Sequence, residues 1–71
     1  MKNIKYIIYK EGKYYVSQCL NVDISGFGKT VEEAYVNLKE DLQLYFEDNQ
    51  EHWNYLPISE ALIGETRLNV K

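Results

Sequence analysis

Residues 15–34 read Tyr15-Val-Ser-Gln-Cys-Leu-Asn-Val-Asp-Ile-Ser-Gly-Phe-Gly-Lys-Thr-Val-Glu-Glu-Ala34, and this stretch decides the fold. It passes through two strand-like segments and runs directly into an amphipathic helix. Thr30 followed by Glu33 is a capping box, in which the Thr hydroxyl accepts from the N3 amide and the Glu side chain reaches back to the cap amide. Beyond it, Val31, Ala34, Tyr35, Leu38, Leu42, Tyr45 and Phe46 recur at three- and four-residue spacing, which predicts a helix with one apolar stripe ending near Asp48 or Asn49. Gly26 and Gly28 flank Phe27 and allow the chain to bend, or to take positive φ, where a third short strand at Asp23–Phe27 turns into that helix.

Upstream, Ile4–Tyr9 is β-branched and aromatic, with Ile4, Tyr6 and Ile8 on one face and Lys5, Ile7 and Tyr9 on the other. Glu11-Gly12 turns the chain into Lys13–Cys19, so the first two strands form a hairpin. Downstream, His52-Trp-Asn-Tyr-Leu-Pro57 is an aromatic loop with two open readings, packing back on the domain or forming part of an interface. Ser59–Ile63 is expected to add one helical turn. Thr66, Leu68 and Val70 alternate with Arg67, Asn69 and Lys71, as in a half-buried final strand. The expectation is an α+β fold of order β-β-β-α-β: an antiparallel three-stranded meander, one helix across one face, and a C-terminal strand joining the sheet. No repeat, linker or low-complexity tract divides residues 1–71, so a single domain is expected.

A chain of 71 residues buries a small core, and self-association into a homodimer or higher oligomer would add to it. Its hydrophobic share of 45% and charged share of 27% carry no signature of disorder, and no apolar run is long enough to cross a bilayer. The start of the chain is not a signal peptide, and the lone Cys19 has no internal disulfide partner; both point to the cytoplasm. Charge is uneven. Residues 1–29 carry five lysines against Glu11 and Asp23, a balance of +3, while residues 30–51 carry seven carboxylates against Lys39, a balance of −6. Such a helix repels phosphate backbones and suits a basic protein partner, or else is simply a solvated face.

Signals for chemistry are sparse. Two-metal catalysis needs several converging carboxylates, and the strands offer Asp23 alone. His52 has no Cys or His at metal-ligand spacing, and Cys19 has no nearby His to activate it, so neither a metal nor a cofactor is expected and the chain is not read as an enzyme. Gly26-Phe-Gly28 is a turn signal and not a phosphate cradle. Tyr6, Tyr9, Tyr14 and Tyr15 on adjacent strands invite comparison with an RNA-stacking sheet, but the RNP pattern is missing and the net charge is −3.

The ordered set Tyr15-Val-Ser-Gln-Cys-Leu20, Asp23, Gly28, Thr30, Glu32, Glu33, Ala34 and Asn37-Leu-Lys-Glu40 resembles HicB-type antitoxins across about residues 4–48. Lys29 stands where that pattern has an acidic residue, and the Pro-Gly turn of many members is absent. The resemblance implies a truncated RNase-H-like domain that neutralises a small basic, mRNA-cleaving toxin of the HicA type by covering its active surface. Members that bind operator DNA add a further DNA-binding segment, for which this chain has no room, so no direct nucleic-acid contact is expected. Candidate partner contacts are Glu40, Glu47, Asp48 and Glu51, with Trp53 and Tyr55 as anchors. The alternative is an orphan homo-oligomeric scaffold or small-ligand-binding domain without a toxin partner.

Overall fold

The structure, a computed structural model, describes residues 2–48 and 55–70. Strands β1 (Tyr6–Glu11), β2 (Tyr14–Cys19) and β3 (Ser25–Gly28) form an antiparallel sheet in the order β1-β2-β3, followed by helix α1 (Val31–Asp48). The fold is α+β. Between Glu11 and Tyr14 the hairpin loop is Gly12-Lys13, and Gly12 takes φ +62°. Positive φ at the first central residue alone is the II′ geometry, whose twist matches that of the paired strands. A longer hook, residues 20–24, joins β2 to β3 and is closed by the Cys19 amide donating to the Ile24 carbonyl at 3.0 Å.

Register assigns the faces. Tyr6 opposes Cys19, Ile8 opposes Ser17, and Ser17 opposes Gly26, so these positions share one side of the sheet. α1 covers that side. Among the described residues the buried hydrophobics are Cys19, Val22, Ala34, Leu38 and Leu42, with Ile4, Ile24, Tyr45, Phe46 and Tyr55 packed around them. The approach of α1 to β3 is set by missing side chains. A Cβ on Gly28 would lie 2.4 Å from the Glu33 Cβ, and one on Gly26 would lie 2.9 Å from the Leu38 nitrogen. Gly12 alone has positive φ among the described residues, so Gly26 and Gly28 serve close packing and not the expected turn conformation. Ser17 completes the strip, its buried hydroxyl donating to the Ala34 carbonyl at 2.7 Å.

A second buried polar residue ties the chain ends together. Asn21 accepts from the Lys5 amide through Oδ1 at 2.7 Å and donates through Nδ2 to the Leu56 carbonyl at 2.7 Å. The Leu56 amide returns a bond to the Asn21 carbonyl at 2.8 Å. This explains why β1 begins at Tyr6 and not at Ile4: at Lys5 a side chain takes the place of the cross-strand backbone acceptor.

The helix start matches the capping box with one displacement. Thr30 Oγ1 accepts from the Glu33 amide at 3.0 Å, whereas Glu33 Oε1 accepts from the amide of Lys29, one residue before the cap. Two members of the expected stripe, Val31 and Tyr35, lie at its margin and are exposed, Tyr35 contacting the Tyr6 ring at 5.6 Å between centroids.

The C-terminal expectations differ from the structure. No helical turn forms over Ser59–Ile63, where the six residues between Pro57 and Gly64 are too few to nucleate a helix without packing. Residues 66–70 alternate as a strand would, yet no fourth strand joins the sheet among the described residues, and 61–70 are exposed throughout. A strand needs a bonded neighbour, and no ladder pairs residues 66–70 among the described residues.

Candidate functional site

α1 is buried along Ala34, Leu38 and Leu42, so the opposite side of the helix faces outward. Glu40 and Glu47 stand seven residues apart there, whereas Glu33, at the same spacing, lies against β3 at Gly28 with its carboxylate held by the Lys29 amide. Val36 and Leu44 lie beside Glu40 and Glu47 and are 39% and 57% exposed. The helix as a whole carries six carboxylates against Lys39, a balance of −5. Its N-terminal turn holds Glu32 and Glu33 at the positive end of the dipole, but its last turn has no basic residue. Acidic side chains at the negative end cost a few tenths of a kcal/mol each.

The expected contact residues separate in space. Glu40 is exposed on the outward side. Glu47 is exposed in the last turn, where it also borders the groove between α1 and β1. Asp48 is the final residue of α1. Glu51 and Trp53 lie outside the described residues. Tyr55 is half-buried: its hydroxyl donates to the Asn3 carbonyl at 2.8 Å, its ring meets Phe46 edge-on at 6.4 Å, and Lys2 Nζ sits 4.4 Å from its centroid. Its ring therefore packs the C-terminal segment against the chain's N-terminal end.

Two sets of residues escaped the sequence reading. Val36 and Leu44 break the acidic pattern of the outward face, and two aliphatics off the buried stripe were the signal for them. The second set is the sheet face away from α1, where Tyr9, Val16 and Phe27 form a row across the three strands. Tyr14 meets Phe27 edge-on at 6.5 Å, and Phe27 is 67% exposed. This register also splits the four N-terminal tyrosines, Tyr6 and Tyr15 on the helix side and Tyr9 and Tyr14 on the other, so they form no single stacking platform.

Among the described residues, no three His, Cys, Asp or Glu side chains come together to hold a metal ion. No helix among them is long and apolar enough to cross a membrane. Cys19 is buried in the core at the end of β2. In comparisons with known proteins, no family model, curated protein or solved structure matches the chain.

Proposed function

We propose that this domain is an antitoxin-like protein-binding module, resembling the HicB type, that neutralises a small basic RNA-cleaving protein by covering its active surface. The observation that carries the reading is the outward pair Glu40 and Glu47 with exposed Val36 and Leu44 beside them. These carboxylates compete with RNA phosphates for a basic surface and speed encounter with it, while the two aliphatic side chains supply apolar area at the centre of the contact. Neutralisation on this reading is steric and electrostatic. The domain works in the cytoplasm, where its toxin meets mRNA. On this reading the β-β-β-α order is that of a truncated RNase-H-like domain.

Co-expression with the product of the adjacent gene tests the proposal, a short basic protein there being the expected partner. A stable complex on size-exclusion chromatography with light scattering, together with suppressed RNA cleavage, is the expected result. Separate elution with cleavage undiminished would sink it and leave the second reading, an orphan scaffold or small-ligand binder. That reading is favoured by one observation, an apolar groove of about 530 Å³ between α1 and β1.

A further inference from the structure

Two incomplete features of the fold match one another. The first is the free edge of β1, which has β2 on one side and no strand among the described residues on the other. The Leu20 amide donates to the Lys5 carbonyl at 2.9 Å, so alternation along the antiparallel ladder sends the amides and carbonyls of Tyr6, Ile8 and Lys10 to the open side. Beside this edge, beneath α1, runs the groove of about 530 Å³, walled by Ile4, Tyr6, Tyr35, Leu42 and Phe46 with Glu47 on its rim. An edge next to an apolar trough is a seat for one more strand.

The second feature is a strand-patterned tail with no seat. Residues 59–63 pass the start of β1, and the chain then leaves the body. Leu62 is 92% exposed, Leu68 74% and Val70 80%. Gly64 has open space around it and offers a swivel at the point of departure. The radius of gyration is 14.2 Å and the longest extent 47 Å, against about 11 Å for the radius of a compact chain of this length.

We infer that the β1 edge and its groove receive residues 64–70 of a second copy, the two copies exchanging tails about a two-fold axis. Each copy carries both donor and acceptor, which an isologous exchange requires. Main-chain bonds to the β1 edge fix the added strand, and alternate side chains, Leu68 and Val70, enter the groove. The groove is charge-balanced, with Lys39 and Glu47 both lining it, so apolar burial and main-chain bonds carry the exchange. The exchange covers an edge that would otherwise template uncontrolled pairing. It does not depend on the toxin-binding reading, because the line through Val36, Glu40 and Leu44 stays outside the exchanged contact.

Light scattering on the full chain, beside its Leu68→Pro variant, tests the exchange. The wild type runs as a dimer, and the proline, which removes the amide in mid-strand, weakens self-association by about a hundredfold. Far-UV circular dichroism verifies that α1 survives in the variant, and Leu68→Asp, which places a charge in the groove, gives the same loss. In a mixture of isotope-labelled and unlabelled chains, nuclear Overhauser contacts from the Leu68 and Val70 methyls to the Tyr6 and Tyr35 rings arise between copies. A monomeric wild type, a dimer unchanged by either substitution, or such contacts within one copy only would each overturn the exchange.

Discussion

Gly28 shows how much of this fold depends on a single absent atom. A methyl group there would meet the Glu33 Cβ at 2.4 Å and backbone atoms of α1 within 3 Å, so the helix would have to move away from β3. Gly28→Ala is expected to cost roughly 2–4 kcal/mol, read as a fall in the urea midpoint with little change in slope. Gly12→Ala meets no neighbour and suffers only from its positive φ, so its cost is expected to be smaller, about 1 kcal/mol. Asn21 is the other decisive residue. Replacing it by Ala strands the Lys5 amide and the Leu56 carbonyl and is expected to cost about 2–3 kcal/mol, with faster hydrogen exchange at Lys5 and Leu56. The sequence announced the glycines but not their task. Turn chemistry and close packing use the same residue, and the distance between β3 and α1 belongs to the tertiary structure. Nothing in the one-dimensional pattern marked Asn21 as buried, because a polar residue between strands ordinarily reads as loop.

At the scale of elements, α1 was the most legible part of the chain. Thr30 and Glu33 located its start, and the spacing of Ala34, Leu38 and Leu42 located its buried side. Thr30→Ala is expected to cost about 1 kcal/mol through loss of the cap. Glu47 separates stability from binding. Glu47→Lys places a cation at the negative end of the helix and is expected to raise stability by a few tenths of a kcal/mol while weakening association with a basic partner. Thermal unfolding beside a binding titration reads the two effects, and a fall in both would indicate that Glu47 serves the fold. The hairpin was legible through Glu11-Gly12, and the third strand through its glycines. The last strand was legible as a pattern without a place, since alternation in Thr66, Leu68 and Val70 states that a strand is possible but not which edge will bond to it.

For the whole molecule, one small core and three exposed features have to be reconciled. Among the described residues the core has five buried hydrophobic members, and around it lie the acidic outward side of α1, the bare β1 edge and the aromatic row Tyr9, Val16 and Phe27. A domain of this size gains from contact with other chains, because so much of its apolar surface stays on the outside. The acidic bias of α1 was visible in the sequence. The grouping of Glu40 and Glu47 with exposed Val36 and Leu44 was not, because the buried stripe had to be known before its opposite could be drawn. The most direct test is the kinetics of binding to a small basic RNA-cleaving protein recovered by that co-expression, comparing the full chain with its Glu40→Lys/Glu47→Lys double variant at low and high salt. The account predicts an association rate lowered by about tenfold or more at low salt, with the two chains converging as salt screens the charges. Association rates that are equal at every salt concentration would contradict it.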